Sequence, residues 1–115
     1  MEVIEIRVTL SPSEAAEIVM DKLADAIVSA ELLDSYNRRT ADGKEVVVRL
    51  FERYYMRSSN RATLTLVADD LDGNGTTRVR LSAGGGGNSI FWRFDWGAGE
   101  SFALEAESAL KAYQV

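Results

Sequence analysis

Apolar and polar residues alternate from the start of the chain. Ile4, Ile6, Val8 and Leu10 share one parity and Glu5, Arg7 and Thr9 the other, which is the period of a half-buried strand. Ser11-Pro12-Ser13-Glu14 then predicts a helix start, with Ser11 as N-cap, Pro12 in the first helical position and Glu14 closing a capping box. Beyond it Ala15, Ile18, Val19, Leu23, Ala26, Ile27 and Ala30 recur at helical spacing, while Glu14, Glu17, Asp21 and Asp25 fill the other side. The pattern predicts an amphipathic helix ending near Ser29. Leu32 to Tyr36 fits either a last helical turn or a short second strand.

The second half of the chain changes period. Thr40-Ala41-Asp42-Gly43 is a turn, and Lys44 to Met56 reads as a long strand rich in Val, Tyr and Phe. Ser58-Ser59-Asn60 turns the chain back into Arg61 to Ala68, with Ala62, Leu64, Leu66 and Ala68 on one face. A turn at Leu71 to Gly75 leads into Thr76 to Ala83, with Val79, Leu81 and Ala83 inward and Arg78, Arg80 and Ser82 outward. Gly84 to Gly87 interrupts the pattern, Ser89 to Phe94 predicts a further strand, and Ala98 to Tyr113 predicts a second amphipathic helix with the stripe Phe102, Ala106, Ala109, Leu110 and Tyr113. The predicted fold is a single α+β domain over residues 1–115. It is an antiparallel β-meander sheet with two amphipathic helices packed on one face, in the order β-α-β(3-5)-α.

Such an arrangement leaves one sheet face open. Alternation along the long strand assigns Glu45, Val47, Arg49, Phe51, Arg53, Tyr55 and Arg57 to that open face, and Arg78 and Arg80 join them from a neighbouring strand. Val46, Val48, Leu50, Glu52 and Tyr54 then belong to the covered face. Three readings of the open face follow. It is a solvated surface on which Arg stems cover aromatics; or a self-association surface, since Arg, Tyr and Phe are enriched at interface cores; or a platform for an anionic or single-stranded nucleic-acid partner.

Charge bears on this choice. The net charge is −5, yet Met1 to Asn37 holds two basic residues against eight acidic ones, and Arg38 to Arg93 holds ten against six. Helices are acidic and the sheet is basic. An acidic chain overall speaks against nucleic acid, because nucleic-acid-binding domains carry a clearly basic surface.

Composition removes several chemistries. The chain has neither cysteine nor histidine, so disulfides, thiolate metal sites, Cys nucleophiles, Ser-His-Asp triads and His-built zinc sites are all excluded. Without the commonest base near neutral pH, a non-catalytic role is favoured over an enzyme. Glu2 and Glu5 occupy the place of a basic signal-peptide region, and no apolar run approaches the ~20 residues that span a bilayer. The expected setting is the cytoplasm, with no membrane association.

Four motifs carry candidate chemistry. Asp70-Leu71-Asp72-Gly73-Asn74-Gly75 matches the first half of a calcium loop, but Arg78 and Leu81 stand where its last ligands belong, so a hairpin turn with no metal or other cofactor is expected. Gly84 to Gly87 lacks the Lys of a phosphate-binding loop and reads as a connection. In Ile90 to Trp96, alternation places Ile90, Trp92 and Phe94 together, as core, or as one wall of a ligand pocket or a dimer contact beside the glycines. Glu52 shares its parity with Val46, Val48, Leu50 and Tyr54 and is the best candidate for a buried carboxylate. Glu52, Trp92, Gly85 and Gly86 therefore define a candidate small-molecule pocket between sheet and helices.

Val46 to Tyr55 (VVVRLFERYY) and Val79 to Gly86 (VRLSAGGG), followed by an aromatic strand, resemble an uncharacterised bacterial family of small α+β proteins known only as a domain of unknown function. The resemblance covers roughly Lys44 to Phe102 and implies a single-domain chain with no catalytic residues to transfer. Asp72 to Gly75 and the run of four glycines depart from it. The function expected from these readings is a non-catalytic binding or self-associating module, a homodimer through the surface Arg49, Phe51, Arg53, Tyr55, Arg57, Arg78 and Arg80. The alternative is a small-molecule-binding domain using the pocket.

Overall fold

The computed structural model describes residues 2–26, 29–55, 60–85 and 102–115. Strand β1 spans Glu2–Val8, helix α1 Pro12–Ala24, β2 Glu31–Arg39, β3 Glu45–Tyr55, β4 Asn60–Asp69 and β5 Thr77–Gly85. Helix α2 covers 102–110 and tightens into a 3-10 turn over Lys111–Tyr113. The five strands form one antiparallel sheet in the order β1-β5-β4-β3-β2. The chain thus crosses from one edge of the sheet to the other through α1, then returns strand by strand.

The start of α1 follows from its first four residues. The Ser11 hydroxyl accepts from the Glu14 backbone N–H at 3.2 Å, and the Glu14 carboxylate accepts from the Ser11 N–H at 2.9 Å. Two of the donors left over at a helix start are thereby satisfied. Pro12 brings its φ already set. The helix ends at Ala24, earlier than its apolar spacing predicts, and Asp25 caps it by donating to the Asp21 carbonyl. Ala30 then donates to the Leu23 carbonyl, tying the approach to β2 onto the end of the helix. Leu32 to Tyr36 is strand, which settles that ambiguity.

One core lies between the sheet and the helices. Val8, Ala15, Ala16, Val19 and Leu23 meet Leu64, Leu66, Val79 and Leu81, and α2 adds Phe102, Ala103, Ala106 and Leu110, all fully or almost fully buried. The faces of β4 and β5 match expectation: Ala62, Leu64, Leu66, Ala68, Val79, Leu81 and Ala83 point inward.

The faces of β3 do not. Phe51 is 2% exposed and Arg53 4%, with Val47 fully buried and Tyr55 packed against the core. The side of β3 expected to be open is the side the helices cover. Val46, Val48, Leu50 and Glu52 occupy the outer side, where Tyr54 is exposed. The cause is register: Phe51 stands opposite Leu64, and Val47 opposite Ala68, and directly opposed residues share a face. The predicted strand Ser89–Phe94 and the first part of the predicted second helix, 98–101, lie outside the described residues.

Candidate functional site

The expected interaction surface divides between two faces. Arg49, Phe51, Arg53 and Tyr55 are on the helix side, whereas Arg78 and Arg80 are on the outer side, and Arg57 is outside the described residues. Arg53 is built into the core. Its guanidinium sits 4.5 Å from the centroid of the Phe102 ring and donates to the Glu105 carboxylate on α2. Burial alone would lower its pKa, but the hydrogen bonds to Glu105 and Tyr55 outweigh burial and hold it above the usual arginine value. Arg49 donates to Asn37 Oδ1 at 2.6 Å and to its neighbour's carbonyl, Val48 O, at 2.9 Å. The Nε atoms of Arg49 and Arg53 are buried without a partner among the described residues.

The expected pocket is also distributed. Glu52 is on the outer face, paired with Arg61 at 2.9 Å, and not among the apolar residues under the helices. Gly85 closes β5 opposite Ala62, and Gly86 and Trp92 lie outside the described residues. A cleft of about 360 Å³ occurs at the other end of β5, lined by Thr9, Leu10, Ser11, Lys44, Asp70 and Thr76 among others. It opens beside the start of α1, but amides there are already occupied: Glu45 accepts from the backbone and hydroxyl of Ser13, and Ser11 and Glu14 bond one another.

One side-chain oxygen of each of Asp70, Asp72 and Asn74 in the calcium-like turn is likewise engaged. Asp70 Oδ1 accepts from the Glu45 backbone at 2.8 Å, Asp72 Oδ2 accepts from Arg7 at 2.7 Å and Arg78 at 3.0 Å, and Asn74 Oδ1 accepts from the backbone and hydroxyl of Thr76. The hydrogen bond from Arg7, with Arg78 beside it, holds the Asp72 carboxyl below the usual range. Gly73 and Gly75 take positive φ, as a tight turn requires. Among the described residues no cluster of three or more acidic side chains is placed to hold a metal ion.

What the sequence missed is the composition of the outer face. Residues opposite one another form transverse rows across the sheet. One row runs Tyr36, Val48, Val67, Arg80, Glu5; the next Arg38, Val46, Asp69, Arg78, Arg7; a third Asp34, Leu50, Thr65, Ser82, Val3. The β2–β4 side therefore carries an apolar centre of Val46, Val48, Leu50 and Val67 beside Tyr36, which is 51% exposed. The β1–β5 side carries an ionic border in which Glu5 lies 3.6 Å from Arg80 and 4.0 Å from Arg78, and Asp72 bridges Arg7 and Arg78. The outer face thus combines an apolar centre with a charged border. No described element covers this face. The signal that could have found it was the parity of Val46, Val48 and Leu50 combined with the pairing register to β4.

No described helix is long and apolar enough to cross a membrane. No curated protein and no solved structure matches the chain. One family does, over residues 1–114, nearly the whole length in which the β-α-β4-α order unfolds: the chain belongs to the DUF6054 family, a family of unknown function.

Proposed function

We propose that this chain is a non-catalytic binding or self-associating module that works through the outer face of its sheet. The observation that carries the reading is the apolar centre of Val46, Val48, Leu50 and Val67, bordered by ion-paired Glu5, Arg78 and Arg80. Apolar side chains on an uncovered sheet face are stabilised by a partner that removes them from water, at about 25 cal/mol per Å². The ionic border fixes orientation more than affinity, as rim charges do. The setting proposed is the cytoplasm of a bacterial cell, supported by the cysteine-free sequence and the resemblance over residues 44–102.

The test is native mass spectrometry of the wild type and a Val48→Lys, Val67→Lys double variant, purified under non-dissociating conditions. The expected result is an associated polypeptide on the wild type and its loss from the variant, with circular dichroism unchanged. An associated polypeptide held equally by both, or a wild type that holds neither a polypeptide nor a second copy, overturns the reading.

A second reading is a small anionic ligand held on the helix side of β3. It is favoured by one observation, the two buried Nε atoms of Arg49 and Arg53 without a partner among the described residues. A buried donor without an acceptor costs about 1–3 kcal/mol, which a bound anion would return. A co-purifying anion that raises the melting temperature of the wild type, and fails to do so for Arg49→Met, supports it.

A further inference from the structure

The two edges of the sheet are treated differently. The last residues of the β1 edge are covered by the end of the chain: Val8 bridges Gln114, Thr9 donates to the Tyr113 carbonyl at 2.9 Å, and Val115 donates to the Arg7 carbonyl at 3.0 Å. The β2 edge has no such cover among the described residues, and all nine residues of Glu31–Arg39 are exposed. They include Leu32, Leu33 and Tyr36, at 39%, 46% and 51%. Edge strands are ordinarily blunted by charged side chains, Lys above all, by Pro or by a bulge. β2 has neither Lys nor Pro; its charges, Glu31, Asp34, Arg38 and Arg39, are of both signs, so a strand of opposite pattern can meet them, and the one irregularity, between Leu32 and Asp34, leaves Asp34 to Arg39 in regular register.

We propose that the free edge of β2 pairs antiparallel with β2 of a second copy of this chain, about a two-fold axis at Tyr36. The choice of occupant rests on charge. Asp34, Tyr36 and Arg38 all project to the outer face, since their opposites on β3 are Leu50, Val48 and Val46. In an antiparallel pair centred on Tyr36, Asp34 of each copy faces Arg38 of the other, so two acid–base pairs form around a Tyr36–Tyr36 contact. On the helix side Ser35 faces Asn37, two groups that hydrogen-bond. Moving the axis to Ser35 sets Asp34 against Tyr36. It also brings Glu31 opposite Arg39, but those two project to opposite faces, being paired on β3 with Glu52 and Glu45. Moving it to Asn37 sets Tyr36 against Arg38. Of these axes only the one at Tyr36 sets Asp34 against the oppositely charged Arg38, twice by symmetry, which meets the self-complementarity a two-fold interface imposes.

This inference rests on the self-associating form of the proposed function and specifies its geometry. The product is a ten-stranded sheet with both outer faces on the same side. The rows through Tyr36, Val48 and Val67 then continue across the axis and double the apolar surface.

Sedimentation equilibrium tests it, over roughly 10 to 200 µM, the range in which an interface of this modest size associates. The wild type is expected to approach twice 12.7 kDa. Asp34→Arg and Arg38→Asp should each raise the dissociation constant at least about tenfold, because two like-charge pairs then face one another. The double variant Asp34→Arg, Arg38→Asp should restore association, which a loss of folding would not allow. Val67→Lys, on β4 and away from the edge, should leave the dimer intact. A monomeric wild type overturns the proposal, as does a folded double variant that remains monomeric. If Val67→Lys dissociates the dimer while Asp34→Arg does not, association is face to face: edge pairing is overturned and the outer-face reading stands.

Discussion

Arg53 on β3 stacks over Phe102 on α2, 4.5 Å from the ring centroid, and reaches past it to the Glu105 carboxylate. A single side chain thus ties the second helix to the sheet by two different interactions. The cation–π contact is desolvated, where such contacts are worth about 2 kcal/mol or more. The ion pair adds direction, because a planar guanidinium donates to a carboxylate along few directions.

Removing the carboxylate acceptor should cost more than removing the buried charge itself. Glu105→Ala leaves a buried guanidinium without its acceptor and is expected to lower the unfolding free energy by about 1–3 kcal/mol. Arg53→Met keeps the packing against Phe102 and removes the buried charge, so a smaller loss is expected. Urea midpoints for the two variants give the comparison; a larger loss for Arg53→Met would place the stabilisation in the cation–π contact.

The Thr40–Lys44 turn sets an acid dependence. The Thr40 hydroxyl and the Lys44 ammonium hold the Asp42 carboxyl at about 2, against an ordinary 3.8. The Ser11 backbone and hydroxyl lower Glu14 in the same direction. A carboxylate whose folded value is depressed stabilises the fold above its unfolded value, and that contribution is lost as pH falls through the folded value. Stability should therefore decline between about pH 4 and pH 2, and Asp42→Asn should make the decline shallower. Unfolding at fixed pH steps measures the slope, and an unchanged slope in the variant assigns the effect to other carboxylates.

Ser11→Ala should lower stability by about 1 kcal/mol, the usual cost of an N-cap oxygen. For a domain of this size the melting temperature would fall by about 4 °C. Replacing Ser11 by Asp should retain most of the stability, since a carboxylate also accepts from the Glu14 N–H. An equal loss in both variants would mean that the hydroxyl, not the acceptor, matters.

Calcium at millimolar concentration should leave the melting temperature where chelator leaves it. The oxygens of Asp70, Asp72 and Asn74 already accept from Glu45, from Arg7 and Arg78, and from Thr76. Asp72→Ala should destabilise only slightly, as the loss of exposed ion pairs does, and equally with and without calcium. A calcium-dependent rise in melting temperature that Asp72→Ala abolishes would reverse this reading.

Most of the elements were legible because each rests on local chemistry. Ser11, Pro12 and Glu14 start α1 by satisfying backbone donors within four residues. Ala62, Leu64, Leu66 and Ala68 have only polar or half-buried alternates, so β4 admits one inward face. The end of α1 was less legible, because Ala26 and Ile27 continue the helical spacing past Asp25 and propensity does not register where tertiary contacts end. β2 was less legible still. Its residues are exposed on both sides and its alternation is broken at Leu32 and Asp34, so no face stands out.

What the sequence by itself determined is the α+β class, the antiparallel return of the sheet and the inward faces of β1, β4 and β5. What only the tertiary structure decided is the orientation of β3, and with it which of its side chains face outward. Both sides of that strand carry apolar residues: Val46, Val48 and Leu50 on one, Val47, Phe51 and Tyr55 on the other. Alternation is then degenerate, and the neighbouring strand's register makes the choice. A three-residue turn at Ser58-Ser59-Asn60, as the sequence suggests, would set Arg57 against Arg61 and Tyr54 opposite Leu64. The pairing of Tyr55 with Asn60 instead sets Phe51 opposite Leu64. That odd shift turns every side chain of β3 to the other face, because the side-chain period of a strand is two. It puts Phe51 and Arg53 under α2, where Phe102 and Glu105 receive them, and leaves Val46, Val48 and Leu50 facing out.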